Sequence, residues 1–336
     1  MATLKVKDWR SARQFPQTYP GDRPEQSYLL LNDNIHLLHW EDKDDITSAY
    51  FYHAGGRHIK VDDVLKKMKL PTLLERFTVL AYGANRNPAT LSIKFRNYQY
   101  KSPGKGLAVP VIKGKLQKAD VVACNIYGQG YLFADLLYDS ANTAETEVEA
   151  WLNLLDLDQL RVMNDSEAVK TGMYAVGRFP GYRMDAVDLS FTPLGYAGNT
   201  RIFISPEFEK PLAFSTVAAT NRSLPEMQPL SMLDHLLDVF KLRDRVAQIT
   251  GLDNDDALSE ELCKYLNGQW WYWFNTRDNP ILGYTRVIEM IDSCIGKSSR
   301  SISTAAYLNG RDLLLPEDFW YSPGKDYTLQ GLLNNG

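Results

Sequence analysis

The chain has few cysteines, no long apolar run and no excess of positive charge, and each absence argues against a class of protein. Its three cysteines, Cys124, Cys263 and Cys294, are too scattered for a disulfide framework or a zinc ribbon. No apolar run approaches the ~18 residues of a membrane span. With 37 basic against 41 acidic residues, the formal net charge of −4 argues against nucleic-acid binding as the main task. We expect a cytoplasmic protein without nucleic-acid or membrane partners.

What the chain contains is typical of a globular protein of more than minimal size. Hydrophobic residues make up 44% and charged residues 23% of its 336 positions. This length exceeds the ~100–200 residues of one ordinary domain, which predicts either one large domain or a core with substantial additions. The first ten residues include no apolar segment, so we expect no signal peptide there.

The first informative element is a strand joined to a helix by a loop that contains glycine. Phe77–Ala81 is rich in β-forming residues and predicts a buried strand, and Tyr82–Asn85 follows as the loop. Asn87 is a good helix N-cap, and Pro88 fits the first helical position. Backbone N–H groups of such a loop and helix start can hold a carboxylate or a developing oxyanion. An ordinary strand–loop–helix connection is the alternative.

The second element is a short helix that ends at a carboxylate. Asp156 and Gln159 have the spacing of a capping box, and the apolar residues that follow predict a helix ending just before Glu167. Glu167 is a candidate general base if partial burial raises its pKa toward neutrality. The alternatives are a solvated carboxylate at a helix end and the nearby Asp165 in the same role.

Together these elements resemble the γ-glutamylcyclotransferase-like superfamily. The loop Tyr82-Gly83-Ala84-Asn85 is similar to its Tyr-Gly-Ser-Asn signature, and residues 156–167 are similar to its second signature, which ends in the catalytic glutamate. Segments 109–128 and 218–227 resemble larger bacterial members. The resemblance covers residues 77–225. Ala84 stands where the signature has serine, and Glu167 is followed by Ala168 rather than by glycine.

The resemblance implies a fold of the α+β class, a small mixed β-barrel flanked by helices. Residues 77–225 would form this core. Residues 1–76 would be an N-terminal extension and residues 226–336 a mainly helical C-terminal extension. The oligomeric state stays open, and a homodimer through the helical region from residue 231 onward is one alternative.

The resemblance also implies a reaction and a set of site residues. The loop residues Tyr82, Gly83, Ala84 and Asn85 would hold a γ-glutamyl group and polarise its carbonyl, with Glu167 as general base. The substrate's own amine would attack that carbonyl, giving 5-oxoproline and a free amine from a small amino-acid-derived substrate. No metal or organic cofactor is needed for this chemistry. One further residue is a candidate for the pocket wall, Tyr127.

A second hypothesis is a non-catalytic binding or interaction module that retains the fold and recruits partners through its added helices. Metal binding is not expected. The candidates His36 and His39 have i, i+3 spacing, whereas the helical two-histidine motif requires i, i+4.

Overall fold

The computed structural model describes residues 4–101, 106–126, 128–276, 282–298, 303–316 and 323–334. The strands are, in chain order, β1 (Leu4–Lys5), β2 (Tyr28–Leu31), β3 (Asn34–Leu37), β4 (His39–Trp40), β5 (Ala49–Tyr52), β6 (His58–Lys60), β7 (Phe77–Ala81), β8 (Ala108–Gln117), β9 (Ala119–Ile126), β10 (Leu132–Tyr138), β11 (Glu147–Leu155), β12 (Tyr174–Arg178), β13 (Tyr182–Met184), β14 (Ser190–Phe191), β15 (Leu194–Gly198), β16 (Ile204–Ser205), β17 (Lys210–Pro211), β18 (Ala213–Phe214), β19 (Ala219–Thr220) and β20 (Glu226–Met227). The helices are α1 (Val61–Lys67), α2 (Pro88–Lys101), α3 (Leu157–Ser166), α4 (Pro229–Val239), α5 (Arg243–Thr250), α6 (Leu258–Thr276), α7 (Leu282–Ser298), α8 (Thr304–Asn309) and α9 (Leu329–Asn334).

The largest sheet has the strand order β1-β3-β2-β8-β11-β7-β15-β12. Its middle strands β7 and β8 both pair antiparallel with β11, and β11 is buried along almost its whole length. A strand covered on both faces is mostly apolar, as are four of the five residues of β7 and six of the nine of β11. The buried polar residues of β11, Glu149 and Asn153, form hydrogen bonds. The side chains of these central strands form much of the buried core.

A second sheet has the order β10-β9-β18-β20. Strands β8 and β9 are separated by Lys118 alone, which adopts a left-handed backbone conformation with φ of 54°, and the two strands enter different sheets. The α+β class expected from the sequence is therefore confirmed.

The expected small barrel is not found in the described part of the chain. The path of the large sheet is open there, because it ends on β1 at one side and on β12 at the other. The physical reason lies in the N-terminal residues. Strand β2 pairs with β8 along Ala108–Val111, and β3 and β1 extend the sheet further. The added strands occupy an edge that a closed barrel would need for its own pairing.

Both helix starts expected from local signals are confirmed. Asn87 Oδ1 accepts a hydrogen bond of 2.7 Å from the backbone N–H of Thr90, at the start of α2. At the start of α3, Asp156 and Gln159 form the reciprocal capping box, with bonds of 2.9 and 3.1 Å. The first residue after α3 is Glu167, the predicted base.

Within the described ranges, no helix combines the length and the apolar character that crossing a membrane requires.

A buried ion cluster ties the N-terminal residues to the central sheet. Glu149 on β11 accepts bonds from Arg23 at 2.6 Å and from Arg86 at 2.9 Å, and Trp151 Nε1 donates to it at 3.1 Å. Burial raises the pKa of Glu149, but the two guanidinium groups outweigh burial and hold it at about 2. The carboxylate therefore stays ionised and neutralises Arg86, whose side chain is 1% exposed.

The cluster predicts a large cost for neutralising Glu149. Glu149→Gln should lower the free energy of unfolding by about 3–5 kcal/mol, because Arg86 would lose its buried counter-charge. The matched change Glu147→Gln, on the same face of β11, should cost less than about 1 kcal/mol, because its partners Lys115 and Arg183 are exposed. Urea unfolding followed by circular dichroism measures both variants.

The stability that Glu149 contributes to the folded state depends on pH in a defined direction. The folded pKa of Glu149 lies below its ordinary value of 4.5, so its stabilisation is full above that value. It should be lost as the pH falls from about 4.5 toward about 2. Equal costs for the two glutamine variants would contradict this account of the cluster.

Candidate functional site

The register of the central strands brings the two sequence signatures to one place. Ala81, the last residue of β7, lies opposite Trp151 in the middle of β11, while Leu155 at the end of β11 lies opposite Phe77. The chain then turns into α3, whose ten residues span about 15 Å, close to the ~17 Å of the five-residue β7. Helix α3 can therefore run back along β7, so that its C-terminal residue Glu167 reaches the loop after β7.

Glu167 and the loop are in direct contact. Asn85 Nδ2 donates to Glu167 Oε1 at 3.1 Å. The loop is held in turn by the sheet, because Asn153 Nδ2 on β11 donates to the backbone carbonyl of Asn85 at 3.1 Å. Asn85 Oδ1 is buried and accepts no hydrogen bond from the described residues. A ligand N–H group would satisfy it.

A buried lysine completes the contacts of Glu167. Lys94 Nζ on α2 forms an ion pair with Glu167 Oε1, and the two side chains are only 4% and 16% exposed. Helices α2 and α3 pack against each other and carry the two partners. Lys94 is not among the site residues predicted from the sequence. A signal was nevertheless present, because Lys94 lies between Leu91 and Phe95, two fully buried positions on one face of α2.

The pKa of Glu167 differs from the sequence-based expectation. Burial raises it, but the charge of Lys94, the hydrogen bond from Asn85 and the charge of Arg13 together outweigh burial, so the pKa lies below its ordinary value. The raised pKa on which the role of general base was made conditional is therefore not found, because the cation Lys94 outweighs burial. Burial also lowers the pKa of Lys94, to about 8, and the pair with Glu167 opposes that shift.

These groups line a cavity of about 120 Å³. The loop after β7 and Glu167 form part of its wall, and Arg13 and Lys94 contribute the two cations. Six aromatic residues also line the cavity: Tyr19, Tyr82, Tyr131, Phe133, Tyr174 and Tyr196. Such a wall excludes water and strengthens electrostatic interactions inside the cavity.

The N-terminal residues help to build this cavity, which the sequence analysis did not predict. Tyr19 stacks on Tyr131 with ring centroids 4.8 Å apart, and its hydroxyl accepts a bond of 3.2 Å from the backbone N–H of Ala134. The backbone carbonyl of Arg13 accepts a bond of 3.1 Å from Trp271 Nε1 on α6. The C-terminal helices therefore support the segment that carries Arg13.

The loop offers backbone donors to the cavity. The N–H groups of Gly83, Ala84 and Asn85 donate to no acceptor within the described part of the chain, although all three residues line the cavity. Unpaired N–H groups in a turn before a helix are suited to an anion. The same loop contains a close approach, since a Cβ at Gly83 would lie 2.6 Å from the hydroxyl of Tyr19.

The remaining predicted residues are placed as follows. Tyr82 lines the cavity with its ring, and its hydroxyl donates to the carbonyl of Tyr196 at 2.9 Å, so this hydroxyl is already occupied. Tyr127 lies outside the described residues. Ala168 adopts the left-handed conformation, with φ of 55° and ψ of 37°, that glycine favours after a helix. Alanine therefore adopts here the turn that glycine would form more easily.

Comparison with known proteins does not identify the function of this chain. No protein-family profile matches the chain, and no curated protein matches it. Two solved structures are similar at a TM-score of 0.27: the uncharacterized human protein loc79017, at 19% identity, and a gamma-glutamyl cyclotransferase, at 18% identity. Each match covers 36% of this chain and 66%, just under two thirds, of the other. Structural similarity at this level is too weak to support a functional conclusion, so the proposal below rests on the geometry of the site.

The ion pair predicts the behaviour of Glu167 when its partner is removed. In Lys94→Met the carboxylate stays buried and loses its directly paired cation, with only Arg13 and the Asn85 hydrogen bond left to oppose burial, so its pKa should rise from its lowered value. The pH titration of the Glu167 carboxyl carbon by NMR in ¹³C-labelled protein measures this shift. The control Lys67→Met, at an exposed position, should leave the titration unchanged. An unmoved pKa in Lys94→Met would contradict the pair.

The close approach at Gly83 predicts a coupled effect with Tyr19. Gly83→Ala should destabilise the protein by about 1–3 kcal/mol, because the stacked and buried Tyr19 cannot easily move away. Adding Tyr19→Phe removes the hydroxyl and should recover part of that loss.

The control for this pair of changes is Gly268→Ala in α6. A Cβ there meets no atom within 4 Å, so the change should be neutral or stabilising. Thermal unfolding measures Gly83→Ala, Tyr19→Phe, the combination of the two, and Gly268→Ala. Additive effects of the Gly83 and Tyr19 changes would rule out the proposed contact.

Proposed function

We propose that this cavity catalyses an intramolecular acyl transfer, in which a γ-glutamyl amine or a related amino-acid conjugate cyclises to 5-oxoproline and releases its amine. One observation carries the proposal. Glu167 and the loop residues Gly83, Ala84 and Asn85, whose backbone N–H groups have no acceptor among the described residues, line the same small cavity, and the side chain of Asn85 donates to Glu167 at 3.1 Å. The reaction requires a base and an oxyanion site that act on one substrate, and this cavity offers residues suited to both roles.

Each group of such a substrate finds a counterpart in the wall. The backbone N–H groups of Gly83 and Ala84 are suited to the oxygen of the γ-carbonyl, on which negative charge develops. Arg13 supplies a positive charge for the α-carboxylate. Asn85 Oδ1 and Glu167 are acceptors for the α-amine. Because the amine and the carbonyl belong to one molecule, holding the folded conformer supplies much of the acceleration.

The electrostatics of Glu167 fit a base that is ready at neutral pH. Because its pKa lies below the ordinary value, the carboxylate is ionised and can accept a proton without first losing one. A low pKa also weakens a base, since the driving force for proton transfer falls with it. Removal of water by the aromatic wall offsets part of this weakness when a substrate fills the cavity.

The alternative function is a binding module without catalysis. The observation that favours it is that Glu167 already has an ion pair with Lys94 and a hydrogen bond from Asn85. In this alternative, these contacts do no more than stabilise a buried carboxylate. In that case the cavity would hold an amino-acid-derived ligand without changing it.

We also propose a cytoplasmic location, supported by the three unpaired cysteines Cys124, Cys263 and Cys294. No metal or organic cofactor enters the proposed reaction, and the oligomeric state stays open.

The test is turnover of a panel of γ-glutamyl amines and γ-glutamyl dipeptides, followed by the release of 5-oxoproline. The wild type should turn over at least one of them, and Glu167→Gln should reduce kcat at least about 100-fold without loss of the folded state. The matched control is Asp165→Asn. Asp165 is 52% exposed and pairs with Lys170 at 3.1 Å, so its loss should leave kcat within about twofold.

The outcomes separate the candidates. Equal activity of wild type and Glu167→Gln would remove Glu167 from the mechanism. Binding of panel members, measured by calorimetry, without any release of 5-oxoproline would favour the binding module.

A further inference from the structure

The proposed reaction needs a proton donor as well as a base. Ring closure forms a bond from the α-nitrogen to the γ-carbonyl carbon and breaks the bond from that carbon to the leaving nitrogen. In the course of this exchange two protons move from the α-nitrogen to the leaving nitrogen. An amine leaves an uncatalysed tetrahedral centre poorly unless it is protonated as the bond breaks. The site therefore has to accept a proton on one side and donate one on the other.

Of the two cations that line the cavity, Arg13 and Lys94, the proposed reaction has not used Lys94. Its side chain is 4% exposed and lines the same cavity as Glu167, with which it is in direct contact. The charged groups that act on it are Glu167 from α3 and Arg13 from the N-terminal segment. A buried ammonium group beside the base is placed to give a proton to a substrate and to regain it from its neighbour.

We propose that Lys94 is a second catalytic residue, the acid that protonates the leaving nitrogen. This inference rests on the proposed function and adds a partner to Glu167. Glu167 takes one proton from the α-ammonium group, and the free amine then attacks the γ-carbonyl carbon. Lys94 gives a proton to the leaving nitrogen as the carbon–nitrogen bond breaks. The new ring nitrogen gives its second proton to the departing amine, and the proton on Glu167 passes to Lys94.

The chemistry balances and returns both side chains to their starting states. The products are 5-oxoproline and a protonated amine, with Glu167 again ionised and Lys94 again charged. Burial lowers the pKa of Lys94 to about 8, so its proton is easier to release than that of an exposed lysine. Because this pKa is still above 7, Lys94 remains charged at neutral pH. No oxidant, metal or further reactant is required.

The role can be tested by changing the leaving group. p-Nitroaniline is a much better leaving group than an alkylamine, so its departure depends far less on a proton donated as the bond breaks, and the one proton that it gains can come afterwards from the new ring nitrogen. The experiment compares kcat for γ-glutamyl-p-nitroanilide and a γ-glutamyl alkylamide in the full-length protein. The variants are Lys94→Met, Lys94→Arg and Glu167→Gln, with Lys67→Met as the exposed lysine control, and thermal unfolding verifies that each is folded.

Loss of the acid should be selective. Lys94→Met should lower kcat for the alkylamide at least about 100-fold and for the anilide less than about 10-fold. Lys94→Arg keeps the charge but cannot release a proton near neutral pH, so it should show the same selectivity. Glu167→Gln should lose both activities, and Lys67→Met neither. In the wild type, kcat for the alkylamide should fall above about pH 8 as Lys94 loses its proton, whereas the anilide should lack this limb.

Each other result overturns a defined claim. Equal losses for both substrates in a folded Lys94→Met would show that Lys94 only positions Glu167. Full alkylamide turnover by Lys94→Arg would show that its charge suffices. In either case activity that depends on Glu167 would leave the proposed function standing. If the wild type releases 5-oxoproline from neither substrate nor any panel member, the proposed function and this inference both fall.

Discussion

The structure around the candidate site depends on the burial of one carboxylate against one ammonium group. Glu167 ends a helix, where the partial negative charge of the last carbonyl groups disfavours a second negative charge. Burial in an aromatic cavity disfavours it further. Lys94 offsets both effects, and its own burial is tolerable only because Glu167 is there. Each group therefore stabilises the ionised form of the other.

This mutual dependence places demands on the scaffold. The two partners come from helices that are separated in the chain by the long strands β8–β11, so the sheet has to bring α2 and α3 together. The sheet does so through the antiparallel register of β7 and β11, with α2 following one strand and α3 following the other. A shift of that register by one residue would turn every side chain of a strand to the other face and would carry the loop away from Glu167.

The parts of the fold that could be predicted from sequence are those that local chemistry determines. The strand Phe77–Ala81, the cap at Asn87 and the box from Asp156 to Gln159 depend on neighbouring residues, and the structure has all three. Residues brought in by tertiary contacts were missed. Lys94 left a weak local signal on an apolar helix face, whereas Arg13 left none, because nothing near it in sequence indicates the cavity.

Residues outside the recognised core change both the sheet and the cavity. The N-terminal residues add strands to the sheet at β8, where the expected barrel is absent, and add Tyr19 and Arg13 to the cavity wall. The lowered pKa of Glu167, in contrast, comes mainly from Lys94, which lies inside the core. Arg23 anchors the N-terminal segment through the buried carboxylate of Glu149. A chain reduced to residues 77–225 would therefore lose one cation and one aromatic wall from the cavity, and with them part of the exclusion of water on which the low-dielectric ion pair depends. The additions belong to the site as much as the two signatures do.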